Sequence, residues 1–193
     1  MSGRGGVAAW LADGPDRYGL VSRAFHWVMA YLLLWQFLTL LGWRLLGDGA
    51  VMRTASLLGP AHGTVGVLVI GLVVPRAAWA GWNRRRRPAA DSTLAGWLAR
   101  GVHALFYLLM AVVPALALAR AYGSGKGYAL WGLQVMPATG REVGWLVAPA
   151  DLLHKPLAWT LAVLVAGHIA MALLHGLVRR DGVLARMAGP MGR

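Results

Sequence analysis

Four long apolar stretches, from about Ala24 to Leu46, Ala61 to Trp79, Trp97 to Ala119 and Lys155 to Val178, constrain this chain more than any other feature of its sequence. Each approaches or exceeds the roughly 20 residues a helix needs to cross a hydrocarbon core about 30 Å thick. In such a core only helices and closed barrels satisfy every backbone polar group. The 193 residues hold one four-helix unit and little else. Composition agrees, with 58% of residues hydrophobic and 13% charged, more apolar surface than a soluble domain hides. The expected fold class is all-α: an integral membrane four-helix bundle. Residues 1–20 read as an N-terminal tail, 21–187 as the transmembrane domain and 188–193 as a C-terminal tail.

The leader before the first stretch is polar and contains Gly and Asp, with no short apolar core followed by a small-residue cleavage site. The first helix is therefore expected to stay uncleaved, behind a partly disordered tail.

Basic residues in the connections set the expected orientation. Arg4, Arg17, Arg23, Arg76, Arg84, Arg85, Arg86, Arg87, Arg100, Arg179, Arg180, Arg186 and Arg193 fall on one side. Only Arg44, Arg53, Arg120, Lys126, Arg141 and Lys155 fall on the other. By the positive-inside rule both termini are cytoplasmic, which predicts a multi-pass protein of the bacterial inner membrane. The net charge of +12 and the Arg84 to Arg87 run would suit nucleic acid in another context. Here the run sits in a short loop between two spans, where orientation and anionic lipid account for it, so no nucleic-acid partner is expected.

Cysteine is absent, which excludes disulfides, cysteine-ligated iron–sulfur clusters and covalently attached c-type haem. The segment from about Arg120 to Leu153 is long, punctuated by Gly123, Gly125, Gly127, Pro137, Gly140 and Pro149, and rich in apolar and aromatic residues such as Tyr122, Tyr128, Trp131, Leu133 and Trp145. It reads as a lid packed along the interface. Pro114 is expected to kink the third span, and Gln36 and Thr39 in the first read as ordinary interhelical hydrogen bonders.

All six histidines lie in or at the lip of the apolar segments. An imidazole in hydrocarbon needs a hydrogen bond or a metal, and intramembrane ionisable groups are functional candidates by default. His154 and His168 are fourteen residues apart, which on a helix advances about 21 Å and returns within roughly 40° of the starting direction. One helix face thus offers two imidazoles, one near each membrane surface, a geometry that suits two stacked non-covalent b-type haems. His62 and His154 open their helices on the same side, and facing helices with one imidazole each make six-coordinate haem iron. Gly63, Gly66 and Ala61 are expected to leave room for a porphyrin. For the inner site, counting leaves His26 with His168 and His26 with His175 both open.

The Ser-Arg-Ala-Phe-His-Trp start of the first helix, the His-Gly of the second and Val-His-Ala-Leu-Phe-Tyr with a later Pro in the third resemble the bacterial cytochrome b561 family. So do Trp-Gly-Leu-Gln-Val-Met-Pro in the outer loop and the stretch from His154 through Gly167, His168 and His175 to Arg179. The resemblance covers about Tyr18 to Met187, and within the family it is strongest to the superoxide:ubiquinone oxidoreductase kind. It implies two haem b groups, with His26 and His168 on the inner iron and His62 and His154 on the outer one. It also implies that His103 and His175 are not ligands and, with Arg23, contact a haem propionate or a quinone near the inner site.

The function expected is transmembrane electron transfer, from superoxide at the outer face to ubiquinone, with Lys155, Arg141, Lys126 and Arg53 available to steer an anion. A cytochrome b subunit relaying electrons between quinone and a redox protein partner uses the same ligands. A haem-free transporter relaying protons through histidines is a third reading, for which intramembrane Asp and Glu are lacking.

Overall fold

The computed structural model describes residues 8–88 and 92–190. Residues 1–7, part of the tail for which disorder is expected, lie outside that range, as do Arg4 and Arg193. The chain forms α1 (Ala8–Leu11), α2 (Leu20–Leu46), α3 (Ala50–Ser56), α4 (His62–Trp82) and α5 (Leu94–Gly123). A hairpin of β1 (Tyr128–Leu130) and β2 (Leu133–Met136) follows, then α6 (Gly144–Leu173), a π-helical turn at Leu174–Arg179 and α7 (Val183–Ala188). Helices α2, α4, α5 and the continuous Gly144–Arg179 segment are each long and apolar enough to cross a membrane.

Polar contacts fix how the four run. Trp79 of α4 donates through Nε1 to Ser22 Oγ near the start of α2, whereas Trp35, farther along α2, donates to the Pro60 carbonyl just before α4. These two helices are antiparallel. His154 of α6 meets the Val113 carbonyl, and Phe106 packs on His168, so α5 and α6 are antiparallel as well. The bundle consequently has a terminal end, where both ends of the described chain meet, and a hairpin end. Apart from Arg4 and Arg193, the thirteen basic residues grouped by sequence all belong to the terminal half.

The core is narrow. Met29 and Leu32 from α2, Val65, Val69 and Val73 from α4, Phe106, Leu109 and Met110 from α5, and Leu161 from α6 form one buried cluster. Val65, Val69 and Val73 recur every four residues, so they line one stripe of α4. Outside it the helices stay apolar, with Leu38, Leu45, Leu98, Leu108, Val163 and Leu173 all exposed. A surface that is apolar on both its inner and outer faces belongs in lipid.

Two departures from the sequence reading share one cause. The fourth helix begins at Gly144, about three turns before the expected Lys155, and takes in Pro149 and Pro156. Each proline removes one backbone donor. The helix nonetheless continues, because an uncovered backbone beside hydrocarbon costs more than one lost hydrogen bond. The connection before it shrinks to a hairpin whose turn residues, Trp131 (φ 47°) and Gly132 (φ 85°), both lie in the left-handed region that a tight two-residue turn requires. Gly127 is also left-handed, and a Cβ there would stand 2.6 Å from the Met136 carbonyl oxygen.

A buried polar clasp closes the terminal end. Asp13, whose side chain is fully buried, accepts from the Gly19 amide (2.9 Å) and from Arg87 Nε (2.9 Å), while its own amide donates to Asn83 Oδ1. Arg23 reaches the carbonyls of Tyr18, Arg186 and Gly189, tying α2 to the C-terminal segment. Asp13→Ala strands the mostly buried Arg87 guanidinium and is expected to cost on the order of 3 kcal/mol. The check is thermal unfolding in detergent, where Asp13→Ala melts clearly below the parent and Asp16→Ala, on the exposed neighbour, does not.

Candidate functional site

Every histidine identified in the sequence falls on one of the long helical segments or their π-helical end, and four of them meet in pairs. At the hairpin end, His62, the first residue of α4, faces His154 of α6 with ring centroids 6.1 Å apart and planes inclined at 57°. At the terminal end, His26 of α2 faces His168 of α6 at 6.2 Å and 63°. Of the two partners that counting leaves open for His26, the structure brings His168 to it. The two pairs sit at the His154 and His168 levels of one helix, fourteen residues apart, or about 21 Å.

Each pair is built from helices that cannot move independently. His154 directs Nδ1 to the Val113 carbonyl at 3.1 Å, so α5 sets the orientation of a ring carried by α6. The Gln36 amide of α2 stands 2.5 Å from His62 Nδ1 and holds a ring carried by α4. In the terminal pair, His168 is wedged between Phe106 and His103, both 5.6 Å from it edge to face. His103 spends its Nδ1 on the Ala99 carbonyl of its own helix.

His175 lies apart from both pairs. It occupies the π-helical turn, a form that concentrates at functional positions, and its Nδ1 is 2.6 Å from Asp181 Oδ2. That hydrogen bond holds the Asp181 carboxyl below the usual carboxylate range. His175, Gly176, Arg180, Leu184 and Ala188 line an open cleft of about 390 Å³ between the π turn and α7. Arg23, grouped by resemblance with this end, is buried and committed to the three carbonyls described above.

Arg76 is a site residue the sequence reading passed over as an ordinary inside charge. It follows His62 by fourteen residues on α4, the same interval that separates His154 from His168, and this spacing was the available signal. Its guanidinium reaches the Tyr107 hydroxyl (3.3 Å), the Met29 sulfur (3.3 Å) and the carbonyl of Phe25 (3.4 Å), next to His26. Gln36, read in the sequence as an interhelical hydrogen bonder, is one, and its partner is His62.

The donor set suits iron held between two imidazoles. Metal–imidazole bonds of about 2.0 Å on opposite sides of one ion separate ring centroids by roughly 6 Å. Both pairs have that separation. No group of three or more His, Asp or Glu side chains among the described residues is arranged to hold a bare metal ion, so pairs are the arrangement to explain.

The glycines do not behave as the sequence suggests. A Cβ on Gly63 would stand 2.8 Å from the Tyr128 hydroxyl, and one on Gly66 would meet Pro114 Cβ at 3.6 Å. The space beside them is taken by protein: the hairpin lays Tyr128 over the start of α4, next to His62. Gly167, beside His168, has nothing within 4 Å of where its Cβ would be.

The family model for prokaryotic cytochrome b561 matches residues 17–190. "Cytochrome b561 homolog 2" of Escherichia coli (strain K12) is 31% identical over 182 residues, covering 93% of this chain and 95% of the relative.

If Tyr128 anchors the hairpin through Gly63, Gly63→Ala forces the ring aside while Gly66→Ala meets only an ordinary contact. Limited proteolysis of the 124–143 connection is expected to quicken in Gly63→Ala and stay at the parent rate in Gly66→Ala.

Proposed function

The chain belongs to the prokaryotic cytochrome b561 family of membrane b-type cytochromes that carry electrons, and on that premise we propose that it is a di-haem superoxide:ubiquinone oxidoreductase. His62 and His154 ligate one iron at the hairpin end; His26 and His168 ligate the other at the terminal end. The observation that carries this reading is the pair of opposed imidazoles at 6.1 and 6.2 Å, repeated fourteen residues apart on α6. Bound there, b-type haem supplies the reversible one-electron chemistry.

The protein's own residues do the rest. Lys126, Arg141 and Lys155 are exposed at the hairpin end and attract an anion such as superoxide toward His62 and His154. Arg53 contributes less, because Asp48 pairs with it at 3.5 Å. At the other end the His175 cleft receives the quinone head. Asp181 takes the Nδ1 hydrogen of His175, which leaves Nε2 as the nitrogen that exchanges a proton with a quinone oxygen. His103 stands against His168, where it would meet a haem propionate.

Orientation follows from the segregation of arginine to the terminal half, which supports cytoplasmic termini and a hairpin end facing outward across a bacterial inner membrane. Superoxide then arrives from outside and the quinone is reduced near the inner leaflet.

Anaerobic stopped-flow absorbance tests the activity. Superoxide mixed with oxidised, quinone-loaded protein is expected to reduce the haem bands rapidly, followed by quinone-dependent reoxidation. Bands that ignore superoxide yet respond to quinol would mark the chain instead as a cytochrome b subunit serving a redox partner. The ligand assignment has its own test in haem quantification: His26→Ala, His62→Ala, His154→Ala and His168→Ala each lose one haem of two, whereas His175→Ala keeps both. A His175→Ala protein lacking a haem while His168→Ala retains two would reverse the inner assignment.

A further inference from the structure

We propose that Gln36 is a positioning residue for the hairpin-end ligand: its amide fixes the tautomer of His62 and, by accepting the ring's Nδ1–H, lowers the reduction potential of the haem held there. The inference rests on His62 and His154 being a ligand pair.

Gln36 and His62 belong to different helices, and the structure places the amide nitrogen Nε2 of Gln36 2.5 Å from Nδ1 of the ring. Two arrangements satisfy such a contact. If the amide N–H donates, Nδ1 is bare and the ring proton sits on Nε2, where it blocks metal binding. If Nε2 binds iron, the proton sits on Nδ1 and the amide turns its oxygen toward it, a half-turn about the last torsion of the side chain. Ligation therefore selects the second arrangement. Gln36 serves it without a charge that would have to be buried.

His154 makes the corresponding contact to the Val113 carbonyl, so both rings of this pair have a neutral oxygen acceptor at Nδ1. Acceptors at that position raise the basicity of the ligating nitrogen, which favours ferric over ferrous iron. The terminal pair is surrounded differently. Among the described residues neither His26 nor His168 shares a hydrogen bond through its ring, and the nearby formal charge is the Arg76 guanidinium, bound to the carbonyl of Phe25. A cation disfavours the extra positive charge of ferric haem. Lys126, Arg141 and Lys155 at the hairpin end are exposed and screened by water, whereas Arg76 is part-buried, so the Nδ1 acceptors dominate and place the hairpin-end haem at the lower potential. An electron that enters at the hairpin end then runs downhill to the terminal end.

Anaerobic spectroelectrochemical titration of the purified holoprotein reads this directly. Two one-electron steps are expected. Gln36→Leu raises the lower step, leaves the upper one in place and keeps two haems, while Gln36→Glu, which retains an oxygen acceptor, leaves the lower step at or below its parent value. A tenfold loss of ferric preference corresponds to about 59 mV for one electron. Gln36→Ile, apolar and without an acceptor, repeats the test if the leucine protein does not fold. An unmoved lower step in Gln36→Leu, or an equal rise in Gln36→Glu, overturns the proposal. His62→Ala separates the two levels of the argument. Loss of one haem together with the lower step upholds the ligand pair, so an unmoved Gln36→Leu then refutes the role of Gln36 alone. Retention of both haems refutes the ligand pair and the Gln36 proposal together.

Discussion

Hydrocarbon offers no hydrogen bonds, and the rest of the structure follows from that one deficiency. It makes helices of the four apolar stretches and carries α6 through two prolines. It also draws polar side chains within the bundle to partners on the protein. His154 finds the Val113 carbonyl, His62 the Gln36 amide, and Arg76 the Tyr107 hydroxyl and a backbone oxygen. These contacts join neighbouring helices, so the polar groups that orient the histidines also help register the bundle. A ring fixed in this way presents its remaining nitrogen in a constant direction, which is what an axial ligand requires.

Much of this was legible in the sequence. The span count depends only on apolar length, and all four helices appear. The His62 and His154 pair was readable because each residue starts an apolar stretch on the same side. Counting left the inner pair open, although the family resemblance implied it, and the reason is local. Helix α2 begins at Leu20, about a turn before the apolar stretch, so His26 sits deeper than counting from Ala24 implies. The last turn of the fourth span widens into a π form at Leu174–Arg179, so counting back from its end misjudges depth. The hairpin was missed because its turn rests on a left-handed tryptophan at position 131, which no propensity favours. Gln36 was read as an interhelical hydrogen bonder without its partner, and Arg76 was passed over despite its spacing from His62, because the partners of both lie on other helices.

The two ends of the bundle are chemically unlike in ways that bear on direction. The hairpin end has a neutral hydrogen-bonding partner at Nδ1 of both imidazoles, exposed basic side chains and a tyrosine against Gly63 at the start of α4. The terminal end has an arginine beside its histidines, a cleft carrying the His175 and Asp181 pair, and a buried clasp around Asp13. An anionic one-electron donor suits the first end. A proton-coupled acceptor suits the second, since reducing a quinone takes up protons as well as electrons, and an imidazole held by a carboxylate is a competent proton carrier.

The central claim is that two irons are each held between two imidazoles at opposite ends of α6. Low-temperature electron paramagnetic resonance of the oxidised protein, calibrated against haem and protein content, addresses it most directly. The account predicts two distinct low-spin ferric signals of equal weight, summing to two haems per chain. A single low-spin signal at one haem per chain, or a dominant high-spin signal from five-coordinate iron, would contradict it.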